Sequence, residues 1–370
     1  MSDQEKWVPN WISHANSYQE ALEYMVGRKE GTIHSFKTPW VKINDAGING
    51  FEWNSIIIIA GRPGGGKTLM KDQIIREGFK LNKGQKIRAL EFQMEMVARN
   101  SKIREFSSVS RRSYKYLCSA ETEGVVIDDD IVEKCRQYAV NAAQYPIDIV
   151  DKRLTIPEWK QTIINYMEYW KTKLGGTFPL VAITADHSVL FKKVKGQSTL
   201  DMLNELGEVA TELKKIYPVF FIILSQLGRD IESSGRCENG KHGNYPTSND
   251  IFGGDALNQH ADMVIILDRP ATRYITRYGP HKFIINSDKI LAAHIVKTRT
   301  GDTRMSFFAA NFHNMRIDPA QTPPQQKDIK EKKEKEPGDK QAQDLANTLL
   351  EDDVEGTQIK TSDITTGHGD

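Results

Sequence analysis

The hydrophobic positions of this chain gather into short, almost unbroken runs. Residues 55–60 (SIIIIA), 86–92 (KIRALEF), 178–185 (FPLVAITA) and 217–225 (YPVFFIILS) are the clearest, followed by 263–267 and 291–296. Each is strand-sized, rich in β-branched or aromatic residues and without polar alternation, as a strand covered on both faces requires. Residues 305–310 then read as the return strand of a hairpin. Amphipathic stretches such as 69–81, with apolar residues at helical spacing, lie between the runs. Strand-like and helix-like segments alternate from residue 35 to about 318. The pattern predicts an α/β unit with a largely parallel, twisted sheet flanked by helices.

The two ends depart from that pattern. Residues 1–34 contain Ser17-Tyr18-Gln19-Glu20, a capping-box signature that predicts a helix from Ser17 to about Arg28. So short an extension cannot form its own core, and the helix is expected to pack on something else. Residues 319–370 are proline-broken, dense in charge and almost free of apolar residues at first, so disorder is expected there. Leu345, Leu349 and Leu350, set among acidic residues, are candidates for a small partner-docking helix. No internal repeat is visible.

The first run leads directly into Gly61-Arg62-Pro63-Gly64-Gly65-Gly66-Lys67-Thr68, which fits the phosphate-loop pattern G-x-x-x-x-G-K-[ST] at each fixed position. Glycines let successive amide N–H groups converge on an anion at the start of a helix. Lys67 can then reach the β- and γ-phosphates, and the Thr68 hydroxyl can ligate Mg²⁺. A nucleoside triphosphate, ATP with Mg²⁺, is the expected ligand.

Further chemistry stands at the ends of the later runs. Glu95, in Gln93-Met94-Glu95-Met96, follows a run expected to lie next to the phosphate loop. It either orients and deprotonates a water or forms a surface ion pair. Asp186 directly follows the 178–185 run, the arrangement of a Mg²⁺-binding carboxylate, although Asp also ends strands for local reasons. Gln226 ends the 217–225 run and suits either a γ-phosphate sensor or a backbone-bonding structural role. Lys297 and Arg299, at i and i+2 on the last run, share a face. They reach phosphates of their own chain only if that face turns inward, and those of a neighbour if it lies at an interface.

Composition narrows the setting. With 370 residues, 39% of them hydrophobic, the chain can bury one large α/β core plus extensions. A formal charge of +1 excludes a global basic field, so nucleic-acid contacts must be local patches. Cys118, Cys135 and Cys237 are far apart without a C-x-x-C pair, against zinc and a disulfide framework, and are expected to be reduced, buried or inert. The N-terminus shows no signal-peptide pattern and the apolar runs are strand-sized. A soluble, cytoplasmic protein without membrane contact is expected.

Taken together, the phosphate loop, F-Q-M-E-M at 92–96, Asp186, L-S-Q-L-G-R at 224–229 and K-T-R-T-G at 297–301 resemble, in order and spacing, the C-terminal motor domain of DnaB-type replicative helicases. The resemblance covers about residues 35–318. It implies a RecA-like P-loop fold and a homo-hexameric ring with ATP held between subunits. It also implies translocation along single-stranded DNA, typically 5′ to 3′, with primase, a helicase loader or other replication proteins as partners. On the matching positions it makes Lys67 and Thr68 phosphate and Mg²⁺ ligands, Glu95 the catalytic base, Asp186 the Walker-B acid that holds Mg²⁺ and Gln226 the phosphate sensor. It further makes Lys297 and Arg299 cations acting in the adjacent subunit's site. The helix near residues 17–28 occupies the place of the family's linker helix.

Three departures qualify the resemblance. About 34 residues precede the motor where the family has a helical collar of roughly a hundred, so ring assembly and primase coupling must be arranged differently. His187-Ser188-Val189 replaces the family's Tyr-Leu-Gln, and His187 is read as packing without a catalytic role. In the DNA-facing loop, Asn249-Asp250-Ile251-Phe252-Gly253-Gly254-Asp255 puts Phe252 where the family has an Arg. Gly253 and Gly254 can offer N–H groups to a phosphate, and Phe252 can stack on a base, although a buried packing role for it is favoured. Lys192, Lys193 and Lys195 either compensate from a channel-facing loop or form an ordinary solvated turn. Two readings follow: an ATP-driven helicase, or a RecA-like ATPase that loads or assembles without unwinding. A small-molecule kinase is a distant third, since it leaves the paired cations unexplained.

Overall fold

Alternate side chains of the first apolar run face opposite ways. In the computed structural model, which describes residues 11–119, 126–237 and 243–325, Ile56, Ile58 and Ala60 join one buried core while Ile57 and Ile59 join another. A strand has a side-chain period of two, so a run apolar at every position can only be satisfied by cover on both faces.

In chain order the first half contains α1 (His14–Glu30), α2 (Val41–Asn44), β1 (Ser55–Gly61), α3 (Lys67–Leu81), β2 (Ile87–Gln93), α4 (Ala98–Ser110), α5 (Tyr114–Leu117), α6 (Asp129–Ala142) and β3 (Ile147–Val150). The second contains α7 (Ile156–Lys173), β4 (Leu180–Asp186), α8 (Thr199–Ile216), β5 (Val219–Gln226), α9 (Gly254–Asn258) and β6 (Met263–Asp268). A small hairpin of β7 (Arg277–Tyr278) and β8 (Phe283–Ile284) precedes β9 (Ile290–Thr298), β10 (Arg304–Asn311) and β11 (Arg316–Pro319).

One nine-stranded sheet runs in the order β11-β10-β9-β6-β1-β5-β4-β2-β3. The six strands from β6 to β3 are mutually parallel, while β9, β10 and β11 extend the sheet antiparallel. On one face α7 and α8 pack through Trp159, Ile163, Met167, Met202, Leu206 and Ala210. On the other lie α3, through Met70, Ile74 and Ile75, and the 36–51 segment, through Phe36, Trp40, Ile43 and Phe51. Each such side chain contributes roughly 1.5–3 kcal/mol of apolar burial, so the sheet is clamped between two continuous cores.

The helix starts differ in a telling way. α7 and α8 begin with capping boxes, Thr155 with Glu158 and Ser198 with Asp201, which satisfy their first N–H groups internally. α3 begins at Gly66 with no side-chain cap, so its first-turn donors face the loop before it.

Several sequence expectations change here. The first helix begins at His14 rather than Ser17: Ser13 is the cap, accepting from the Asn16 N–H, while the Ser17 hydroxyl bonds back to the His14 carbonyl. The strand before Glu95 is not adjacent to the phosphate-loop strand, because β5 and β4 intervene. Short strands β3 and β11, too brief to form apolar runs, were not anticipated. Cys118 is exposed, whereas Cys135 is buried. Among the described residues no helix is long and apolar enough to cross a membrane. The charged stretch from residue 326 on, with Leu345, Leu349 and Leu350, lies outside the described residues.

Candidate functional site

The parallel strands deliver their carboxyl ends to one edge of the sheet. Gly61, where the phosphate loop leaves β1, is level with Gln226 on β5 and Leu267 on β6, and Asp186 is level with Gln93 one strand further out. Period-two alternation then sets the faces. Ile222 and Leu224 join the α3-side core, as does Ala182, which puts Gln226 and Asp186 on the same side as Lys67.

A cavity of about 270 Å³ opens at that edge, lined in part by Pro63, Gly64, Gly66, Lys67, Thr68, Glu95 and Gln226. Thus residues from three stretches far apart in the chain share one space. Gly66 adopts φ +92°, and a Cβ there would sit 3.4 Å from the Phe312 ring, so the turn into α3 needs glycine. Lys67 folds back, its Nζ donating to the carbonyls of Gly61 (2.9 Å) and Arg62 (3.1 Å). Burial pushes its ammonium pKa down, with Asp186 and Glu95 pulling it back up. The Arg62 side chain turns away from the cavity and is held by Glu232 at 2.8 Å and by the Leu227 carbonyl at 3.0 Å. Gly65 donates to the Arg62 carbonyl at 2.9 Å, tightening the loop.

Buried polar atoms without partners mark where a ligand shell belongs. Gln93 Oε1, Thr184 Oγ1, Asp186 Oδ1 and His187 Nδ1 are all buried and unpaired. Leaving such atoms unmatched costs on the order of 1–3 kcal/mol each, so they are normally satisfied by water, ion or substrate. An oxygen-seeking cation fits this edge: the Asp186 carboxylate is hard and incompletely bonded, and the Thr68 hydroxyl lines the adjoining cavity.

The sequence reading missed four side chains at this site. His187 is buried, lines the cavity and bonds Gln226 Nε2 through its ring Nε2 at 3.2 Å. Burial lowers its imidazole pKa, against the pull of Asp186 and Glu95. Packing is therefore only part of its role. Arg104 on α4 also lines the cavity. At the other end Phe312 lines it, with the Arg269 guanidinium 3.9 Å from its ring centroid and within 3.3 Å of the Gly64 carbonyl. Nothing local marks Arg104, Arg269 or Phe312; only the cavity that Arg104 and Phe312 line, with Arg269 stacked on Phe312, reveals them.

Lys297 and Arg299 do not join the cavity. Thr298 is level with Met263 and so with Ile57, four residues before Gly61, roughly 13 Å toward the opposite sheet edge. Lys297 Nζ bonds the Asn258 carbonyl, and Arg299 pairs with Asp262 at 3.2 Å while remaining 56% exposed. That position removes the possibility that they serve their own chain's phosphates.

Lys192, Lys193 and Lys195 are exposed in the loop between β4 and α8. Phe252 is 47% exposed, which corrects the favoured packing role. Its N–H donates to the Gln226 carbonyl at 2.8 Å, and Gly228 donates to Asp250 at 2.7 Å, so this loop is stitched to the end of β5. Gly253, at φ +60°, leaves no room for a side chain: a Cβ would lie 2.6 Å from Leu203. The Gly254 N–H already donates to Ile251 at 2.8 Å and is not free for a phosphate.

A phosphate loop at the carboxyl edge of a parallel sheet, with acid and amide groups on neighbouring strands, defines a RecA-like P-loop fold. The chain belongs to the DnaB-like helicase C terminal domain family, whose model matches residues 37–317. The replicative DNA helicase DnaB of Mycoplasma genitalium is 24% identical over 255 residues, covering 68% of this chain and 50% of that relative. The chain therefore spans about half the length of that curated relative. Among solved structures, an ATPase domain superposes with a TM-score of 0.65 at 17% identity, covering 82% of this chain and 98% of that one. A DnaB-like replicative helicase, described with its interactions with primase, also superposes at 0.65, with 16% identity over 85% of this chain and 68% of that one.

Proposed function

We propose that this chain is the motor of an ATP-driven DNA helicase that moves 5′ to 3′ on single-stranded DNA as a homo-hexameric ring. The observation that carries the reading is the single cavity uniting Lys67, Thr68, Glu95, Arg104 and Gln226 beside the orphaned Asp186 carboxylate. Lys67 exchanges its two loop carbonyls for the β- and γ-phosphates, and the uncapped N–H groups of α3 receive the same anion. Thr68 and Asp186 would hold Mg²⁺, which neutralises phosphate charge and orients the β- and γ-groups. Glu95 orients a water and takes its proton, while Arg104 and Gln226 meet the γ-phosphate. The Arg269–Phe312 stack parts to receive the base.

Lys297 and Arg299 complete the site of a neighbouring copy. Their distance from their own phosphate loop and the exposure of Arg299 support this assignment. Tyr18, Leu22 and Met25 form an exposed apolar stripe on α1, which supports its packing on the next subunit. Phe252 and the three lysines supply stacking and phosphate contacts to single-stranded DNA, and the Phe252–Gln226 hydrogen bond ties that contact to the phosphate end of the cavity.

Strand displacement tests the proposal. With ATP and Mg²⁺ the protein should displace the strand of a forked duplex carrying a 5′ tail, and Glu95→Gln should abolish displacement while retaining nucleotide. ATP hydrolysis without displacement would instead identify a loading or assembly ATPase.

A further inference from the structure

The Gln226–His187 hydrogen bond serves neither the phosphate loop nor the metal ligands. Gln226 ends β5 with its carbonyl bound by the Phe252 N–H at 2.8 Å, so its backbone is fixed from the loop side. Its side chain still has three rotatable bonds, and an unanchored glutamine carries a substantial rotamer entropy that must be lost whenever it grips a ligand. Here the carboxamide nitrogen is tied at its tip to His187 Nε2 at 3.2 Å. The His187 ring is only 6% exposed, its carbonyl accepts from the Leu190 N–H at 3.0 Å, and its second nitrogen is buried without a partner. The ring is thus held by burial, and its hydrogen bond is to Gln226.

We infer that His187 is a positioning residue: it holds the Gln226 carboxamide at the γ-phosphate end of the cavity before substrate arrives. The inference rests on the reading of Gln226 as the phosphate sensor. A histidine kept only for packing would be replaceable by any side chain of similar volume, whereas a positioning histidine needs an acceptor where Nε2 stands.

Four variants decide between these roles: His187→Leu, His187→Gln, Gln226→Ala and the His187→Leu/Gln226→Ala pair, each checked for an unchanged melting transition. His187→Leu should lower kcat about tenfold, the scale of one rotamer-rich side chain's ordering, while ATP affinity stays within about twofold. His187→Gln, whose amide oxygen reaches the Nε2 position, should recover kcat to within about threefold of the parent. On the Gln226→Ala background His187→Leu should cost nothing further, because the group it positions is gone. If His187→Leu does not fold, His187→Phe keeps a ring and answers the same question. Full activity in the apolar variant, or losses that multiply in the pair, would overturn the inference while leaving Gln226 as sensor. Full activity in Gln226→Ala would instead remove the sensor reading and the inference with it.

Discussion

Two strands of the sheet end in a buried aspartate, and the two carboxylates have opposite surroundings. Asp268, at the end of β6, accepts from Arg273 and from the Tyr278 hydroxyl, which in turn contacts His294; none of Asp268, Tyr278 and His294 leaves a buried side-chain atom unmatched. Asp186, at the end of β4, keeps Oδ1 buried and unpaired, with Thr184, His187 and Gln93 each contributing another orphan nearby. The carboxylate of the first cluster is paired within the fold, although Arg273 Nε beside it is left without a partner. The second carboxylate has one oxygen with no hydrogen bond, and such buried atoms are normally satisfied by water, ion or substrate.

The sharpest test of this contrast exchanges the two aspartates. Asp186→Asn should reduce turnover roughly a hundredfold or more while changing the stability of the nucleotide-free protein little, since Asp186 Oδ1 makes no hydrogen bond that the substitution could break. Asp268→Ala should do the reverse, costing about 3 kcal/mol in chemical denaturation by stranding the buried Arg273. Turnover of the folded fraction should change little. Equal effects on stability from both would dissolve the distinction.

A smaller effect comes from pH. His294 is nearly fully buried, and burial together with Arg273 depresses its imidazole pKa to about 3. A folded value below the unfolded value near 6.5 means that its contribution is complete above pH 6.5 and is lost as pH falls from there toward 3. At pH 5 the loss amounts to about 2 kcal/mol, and denaturation of His294→Asn should show correspondingly less decline between pH 7 and pH 5. The smallest expected difference separates two hydroxyls. Tyr278→Phe should cost about 1 kcal/mol, because it removes one of the donors to Asp268, whereas Thr184→Val should stay within about 0.5 kcal/mol of the parent.

The legible part of the site was the part written in contiguous residues. Gly61 to Thr68 announced a phosphate loop because the turn, the lysine and the helix start all lie within one stretch of backbone. Glu95, Asp186 and Gln226 were placed at strand ends because apolar runs stop where strands stop. The meeting of Glu95 and Gln226 in one cavity, with Asp186 on the strand between them, required the order β1-β5-β4-β2, which no local pattern encodes. Arg104 and Phe312 stand far apart in the chain and border the same space only through the sheet. The His187–Gln226 contact was illegible for the same reason: the two residues are 39 apart in the chain, at the ends of neighbouring strands.

Sequence by itself determined the α/β class, the long apolar strands, the phosphate loop and the candidate polar groups at the strand ends, since side-chain period, propensity and turn chemistry are local properties. Tertiary structure alone decided which carboxylate is paired within the fold and which keeps an oxygen with no hydrogen bond. It also decided that Lys297 and Arg299 lie away from the cavity at their own phosphate loop, and that Phe252 is exposed yet bonded to Gln226 at the end of β5. Those outcomes depend on strand order, register and burial, which are properties of the folded assembly of segments.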